Sequence, residues 1–394
     1  MSIKGKAAIV GVGQVPTGKY PERSALEQAV DVCIQAIRES GLDRSEIDYL
    51  FPTSHFASPR FNTDLIFSGL VEELGLAGTL KGNMMCCSGG ASSSMQLKTA
   101  IAYIASGMAK AVLCVHTEKT GTGLSGAGVI DFFSTTGISS DWETPYGMHF
   151  SPVSGTIMQR YMHETGTTDE EMAAVCVSNR KWANLNPEAM FKDKTLTVEQ
   201  VLTSKMISTP MHALQSNMLA DGAAAYLIVN EELAAKCETP VWILGEGSCV
   251  THFCLSQEPD MTRFSYRKAA EEAYAEAGLT PADIDIWEIY DSYPQFELIA
   301  LEEMGACERG QAGKLFASGE CAPGGKVPTT TNGGMLSQGH TAAGGGHAIL
   351  VETYRQLAGK AGARQVPNAK YAIETGTGGT YMDAQVCILG RERA

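Results

Sequence analysis

A thiol and an imidazole, each set among glycines, are the residues of this chain best suited to covalent chemistry. The thiol lies in Asn83-Met84-Met85-Cys86-Cys87-Ser88-Gly89-Gly90-Ala91, ahead of a helical pattern carrying Met95, Ile101 and Ile104. A cysteine between a strand and a helix entrance feels the positive end of the helix dipole, which favours the thiolate. The small residues behind it would let a substrate carbonyl approach backbone N–H groups. Two buried cysteines packed in a tight turn would carry the same signature. The imidazole is His340, in Asn332-Gly333-Gly334-Met335-Leu336-Ser337-Gln338-Gly339-His340-Thr341-Ala342-Ala343-Gly344-Gly345-Gly346-His347. It could take a proton from a thiol or donate to a developing oxyanion. Phosphate cradling fits less well, because no Walker lysine follows and the glycine spacing departs from a P-loop. A plain surface-loop histidine is the alternative.

The elements that must position these groups repeat. Lys6 to Val10 reads as a short buried strand closed by Gly11. A helix follows, with a Ser24/Glu27 capping box and an apolar face of Leu26, Val30, Cys33, Ile34 and Ile37, ending at Gly41. Then comes Leu42-Asp43-Arg44-Ser45-Glu46-Ile47-Asp48, a turn into a second strand. The same order returns 237 positions later: a strand over 241–244, a helix through Ala270, Ala273 and Ala277, Gly278, and Leu279-Thr280-Pro281-Ala282-Asp283-Ile284-Asp285. Shared Gly-Leu and Ile-Asp at one spacing favour duplication over two unrelated helices. Further strands are predicted over 111–115, 224–229, 286–290, 370–373 and 385–389. Strands alternating with helices predict an α/β fold of two layered halves, 1–236 and 237–394. The stretch from about 118 to 215, rich in Gly, Ser, Thr and Met, has no counterpart in the second half and reads as an insertion carrying a binding surface.

Composition narrows the function. The chain has 394 residues, 44% of them apolar, with 30 basic against 44 acidic side chains and a net charge of −14. A nucleic-acid binder needs a basic face, so none is expected. No apolar run reaches the ~20 residues that span a bilayer, so no membrane association is expected. The opening residues read as the run-in to a strand rather than a signal peptide. Eleven cysteines, odd in number and scattered, read as reduced thiols of a cytoplasmic enzyme.

Together the two glycine-framed segments resemble the thiolase superfamily, on the branch of the sterol-carrier-protein-X and archaeal acetyl-transferring thiolases. Asn83-Met84-Met85-Cys86-Cys87-Ser88-Gly89 matches that family's Asn-x-x-Cys-x-Ser-Gly segment, and Asn332-Gly333-Gly334 followed by Gly339-His340 matches its Asn-Gly-Gly and Gly-His pair. The resemblance extends over nearly the whole chain in motif order. It implies a duplicated αβαβα thiolase fold with an inserted loop domain, and a CoA-dependent acyltransferase that cleaves or forms a 3-oxoacyl-CoA. Cys86 would accept the acyl group, His340 would activate it, and backbone at Cys86 and Gly376 would form an oxyanion site. Coenzyme A would be a substrate, with no bound cofactor and no metal. The family resemblance also implies a homodimer. Few residues follow the last predicted strand, so a small zinc-ribbon/OB-fold subunit could supply CoA contacts.

Two departures matter. Where relatives place an asparagine or histidine, this chain has Tyr290, in Tyr290-Asp291-Ser292-Tyr293. A phenol donates a hydrogen bond, but with different reach and acidity. Where many thiolases carry a second cysteine, the loop Glu374-Thr375-Gly376-Thr377-Gly378-Gly379-Thr380 has none. Glu374 could shuttle that proton if burial raised its pKa, or could be a structural carboxylate. Some thiolase-like lyases of sterol side-chain breakdown resemble this chain in having the tyrosine, which keeps open a retro-aldol lyase acting on a 3-hydroxyacyl-CoA. A non-catalytic scaffold subunit is the third reading. Arg180, Lys181 and Asn217 in the insertion are candidates for CoA. Tyr290, Tyr293, Phe132, Phe133 and Trp142 would suit a bulky or aromatic acyl group, as in 2-benzoylsuccinyl-CoA thiolases. Cys249, His252 and Cys254 lie close in sequence but lack the spacing of a zinc site.

Overall fold

The computed structural model describes residues 2–53, 66–134, 136–252, 254–381 and 383–393, with the side chains of residues 66 and 67 outside that description. The buried run from Ala7 to Gln14 forms β1. It is followed by β2 (Tyr49–Pro52), β3 (Gly82–Asn83), β4 (Ala111–Lys119), a small hairpin of β5 (Met206–Ser208) and β6 (Met211–His212), and β7 (Asp221–Asn230). The second half supplies β8 (Val241–Val250), β9 (Ile286–Glu288), β10 (Tyr371–Gly378) and β11 (Asp383–Gly390).

Among the described residues, nine strands form one mixed sheet in the order β3-β2-β4-β7-β1-β8-β11-β10-β9. Its two ends repeat each other. β2-β4-β7-β1 and β9-β10-β11-β8 have the same order, each with one parallel pair followed by two antiparallel ones. The halves join where β1 meets β8 antiparallel, through Ala8↔Trp242 and Ile9↔Val241. Helix Ala25–Ser40 packs on β1 and β7, and helix Tyr266–Ala277 packs on β8 and β11. Helices Ser92–Ala105 and Gly345–Leu357 touch each other and strands of both halves, so they form the middle layer. The result is a duplicated α/β fold in which the two ends of one sheet share a middle pair of helices, with a further helix packed on each end.

The duplicated glycines have a duplicated reason. A Cβ at Gly11 or Gly13 would sit 2.2 or 2.0 Å from the carbonyls of Ala36 and Val32, and at Gly245 or Gly247 2.1 or 1.9 Å from those of Ala273 and Ala269. Each outer helix therefore lies directly on backbone, a distance only glycine permits. Ser24 and Glu27 do form the reciprocal cap, and Gly41 and Gly278 close the two helices in the left-handed conformation. The long segment from Thr120 to Ala220 leaves the sheet between β4 and β7. At the equivalent place in the second half, β10 ends at Gly378 and β11 already begins at Asp383. Helix Asp169–Ala183 of that segment packs on helices Pro294–Glu303, Ala312–Ser318 and Gly334–Ser337 of the second half. No described helix is long and apolar enough to cross a membrane.

Candidate active site

β3 pairs in parallel with β2, and the chain stays beside β2 through Cys86, whose amide donates to the Pro52 carbonyl at 3.3 Å. The following turn is tied down by its serines. Ser88 Oγ donates to Asp383 at 2.8 Å, and Ser92 Oγ accepts from the Ser88 amide at 2.9 Å. The helix begins at Ser92, six residues past Cys86. Burial pushes the Cys86 thiol up to about 11, with Cys87 and the Asp383 carboxylate adding to the rise. Cys87 is exposed.

His340 is fixed by backbone. Its amide donates to Met218 at 2.9 Å and its carbonyl accepts from Ala220 at 2.9 Å. Beneath the loop, helix Gly334–Ser337 is held by Asp291, whose carboxylate accepts from the amides of Met335 at 2.6 Å and Leu336 at 3.2 Å. Asn179 donates to that same carboxylate at 2.9 Å. Burial raises Asp291 to about 7 despite those donors. The His340 ring is buried, which pulls its pKa down to about 4, so it is neutral at ordinary pH. Its Nε2 lies 2.9 Å from the Tyr290 hydroxyl. Tyr290 is itself anchored by its amide, which donates to Thr375 Oγ1 at 2.9 Å, and burial raises its phenol well above the usual range.

These groups share one pocket. Gly89 and Gly90 from the cysteine loop line it opposite Tyr290 and His340. A Cβ at Gly90 would lie 2.2 Å from the Tyr290 ring, and one at Gly345 within 3.2 Å of both rings. Thr377 and Gly379 complete that rim, and Phe132, Phe133 and Phe150 form an apolar wall. Cys86 itself is not among the residues that line it. The site can therefore hold a substrate carbonyl against a neutral imidazole–phenol pair, with a thiol one turn of chain away.

The structure places the remaining sequence candidates as follows. Glu374 is fully buried and faces Ser94 Oγ at 3.2 Å, away from the lining, with burial raising it to about 8. Gly376 lies in the β10–β11 ladder opposite Gln385, where a Cβ would be 2.6 Å from Ser94 Oγ. Its backbone is used by the sheet and the middle helix, and Thr377 and Gly379 line the pocket in its stead. Arg180 is buried, donates to Ser337 Oγ at 3.0 Å and stacks over Phe191 at 4.6 Å. It braces the His340 loop through Ser337 and does not line the pocket. Lys181 is exposed on the same helix and does not line the pocket. Asn217 lines the pocket and donates to the Ser292 carbonyl at 2.8 Å. Trp142 is exposed and does not line the pocket, whereas Phe132, Phe133, Tyr290 and Tyr293 do. His252 Nε2 meets the Thr380 carbonyl at 3.1 Å, and no described cluster of three or more His, Cys, Asp or Glu could hold a metal. Sequence reasoning passed over Gly90 as a close-packing position, and over Ser151, Ser292 and Tyr381. Only Gly90 had a signal, its place in a run of small residues.

Comparison with known proteins agrees with this architecture. Residues 247–391 match the thiolase C-terminal domain-like family model. The chain is 30% identical to an acetyl-CoA acetyltransferase of Methanothermobacter thermautotrophicus, covering 98% of this chain and 99% of that one. It is 29% identical to the benzoylsuccinyl-CoA thiolase subunit BbsB of Thauera aromatica, over 96% of each. Among solved structures, an Ltp2–ChsH2(DUF35) aldolase superposes with a TM-score of 0.86 at 27% identity, covering 99% of both chains. The chain belongs to the thiolase family of acyl-CoA enzymes, on the branch shared with archaeal acetyl-CoA acetyltransferases and sterol carrier protein 2.

Proposed function

We propose that the protein is a CoA-dependent thiolase acting on a 3-oxoacyl-CoA through an acyl-Cys86 intermediate. One observation carries the reading: the cysteine loop of the first half and the histidine loop of the second meet at one pocket, with Gly90 packed on the ring of Tyr290 and Tyr290 bonded to His340. With a thiol at about 11, attack and proton removal must be concerted. His340 takes the Cys86 proton as sulfur adds to C3, and the C2–C3 bond then breaks. The electron pair leaves on the thioester enolate, which recovers a proton at C2. The thiol of CoA then removes the acyl group from Cys86. Tyr290 donates to the oxygen that gains charge, a contribution of about 3 kcal/mol for one such donor. Coenzyme A is thus co-substrate, and no metal takes part.

A second reading is favoured by the 2.9 Å Tyr290–His340 contact, with Cys86 not among the lining residues. In it the pair removes the hydroxyl proton of a 3-hydroxyacyl-CoA, the C2–C3 bond breaks, and C2 of the enolate is reprotonated. A carbonyl product and a shortened acyl-CoA result, with no acyl-enzyme. We further infer a homodimer and a small zinc-ribbon/OB-fold subunit. The second component, ChsH2(DUF35), in the description of the solved aldolase relative supports the latter.

The test is to incubate the protein with 3-oxoacyl-CoAs in the absence of CoA, and to digest it for mass spectrometry. An acyl adduct on the Cys86–Cys87 peptide, lost in Cys86→Ser and kept in Cys87→Ser, supports the thiolase. Cleavage of a 3-hydroxyacyl-CoA that survives Cys86→Ala supports the lyase. Both are repeated with a DUF35-type subunit added.

A further inference from the structure

The pocket has a second polar group that the carbon–carbon chemistry does not use. Tyr381, at the β10–β11 turn, has a hydroxyl 3.1 Å from Ser292 Oγ and 3.3 Å from Ser154 Oγ. Tyr293 has its hydroxyl 3.4 Å from Ser151 Oγ. Tyr293, Tyr381, Ser151 and Ser292 all line the cavity, and none of their side chains is hydrogen-bonded to Tyr290 or His340. Hydroxyl–hydroxyl bonds centre near 2.7–2.8 Å, and each hydroxyl has one donor and two acceptor sites. These contacts are long and leave capacity for another oxygen.

Tyr381 is also held in a costly conformation. Its φ is +65°, a region that bulky side chains rarely enter. The ring stacks on Phe296 and the turn that carries it is the short counterpart of the long segment between β4 and β7. The ring packs in the core and the same residue lines the cavity, so a strained backbone holds Tyr381 at the pocket wall.

Size sets the other limit. The cavity holds about 190 Å³, and a cavity of about 150 Å³ accommodates benzene. Phe132, Phe133 and Phe150 offer ring edges and faces to whatever fills it. One ring fits inside this space, and a fused polycyclic body would have to extend out through its open side.

We propose that the acyl group recognised here carries a single ring bearing a hydroxyl or oxo oxygen, and that Tyr381, supported by Ser292, reads that oxygen. The inference rests on the proposed carbon–carbon cleavage of an acyl-CoA and names its substrate class. A hydrogen-bonding site of this kind rejects the analogue lacking the oxygen, because its own polar groups are then left unpaired.

The test uses four thioesters: acetoacetyl-CoA, benzoylacetyl-CoA, its para-hydroxyphenyl analogue, and an acyl-CoA with a four-ring body, each as the 3-oxo and the 3-hydroxy form. Cleavage rates and, separately, affinities by calorimetry are measured for the wild type, Tyr381→Phe and Ser292→Ala. The expected kcat/KM preference for the hydroxyphenyl over the phenyl substrate is about 10–100-fold. Tyr381→Phe should bring that ratio to within about threefold by lowering kcat/KM for the hydroxyphenyl substrate more than for the phenyl substrate, and Ser292→Ala should lower it partway. Equal use of acetoacetyl-CoA or of the four-ring substrate, or a ratio unchanged in Tyr381→Phe, overturns the inference and leaves the function standing. Ring- and oxygen-dependent affinity with no cleavage of any substrate supports the inference and overturns the function.

Discussion

The loop that carries Cys86 and the loop that carries His340 face each other across one pocket, and they are built on opposite principles. The first is a run of small residues beside β2. Its side chains are few, its thiol is lifted by burial and by a nearby carboxylate, and what it presents to the cavity is the bare backbone of Gly89 and Gly90. The second is over-determined. Asp291 grips the amides of Met335 and Leu336, Arg180 donates to Ser337, Tyr290 contacts the imidazole, and the backbone on either side of His340 is paired with 218–220. One side supplies access and the other supplies a proton-handling pair with fixed geometry. The division shows how the tyrosine ring is accommodated: it occupies the space that Gly90 leaves empty.

Tyr290→Phe probes the rigid side with the largest expected effect. It keeps the ring against Gly90 and removes only the hydroxyl, so kcat should fall about 10²–10³-fold with KM little changed. An unchanged kcat would assign the phenol a packing role and return the chemistry to the thiol side. Gly90→Ala probes the close approach between the two. Its Cβ would overlap the Tyr290 ring at 2.2 Å, and the overpacking should cost about 1–3 kcal/mol, read from denaturant midpoints. Activity should fall with it, whereas a variant with full stability and full activity would mean that the loops are free to move apart. The smallest effect concerns Glu374, which lies beneath both loops. Its folded form holds a proton up to about pH 8, against an ordinary value of 4.5. The unfolded chain therefore binds fewer protons between those values, and stability falls as pH rises through them. Glu374→Gln removes this ionisation, so the melting temperature should change less between pH 5 and 9 than in the wild type. An identical pH slope in both proteins would place the ionised carboxylate in a compensated setting.

Much of this molecule is written locally. The capping box at Ser24 and Glu27, the glycines at 41 and 278, and the Gly-Leu…Ile-Asp repeat are short-range signals, and each corresponds to an element at its expected place. The strands over 111–115, 224–229 and 385–389 are legible because they are apolar runs between turns, although the observed strands extend further at one or both ends. The cysteine and histidine loops are legible from glycine spacing. The ionisation of Cys86 was not, since it depends on burial and on Asp383, nearly 300 residues away. Nor were the surroundings of Glu374: its neighbour in sequence is the glycine loop, and its neighbour in space is Ser94.

By itself, then, the order of residues determined the duplicated α/β fold and the two segments that meet at the pocket, because periodicity, caps and glycine positions act over a few residues. Only the tertiary structure decided which side chains face that pocket and in what state of charge. Burial, the pairing of Tyr290 with His340, and the turn that strains Tyr381 all arise from segments brought together across the two halves, and no local pattern encodes a distance between them.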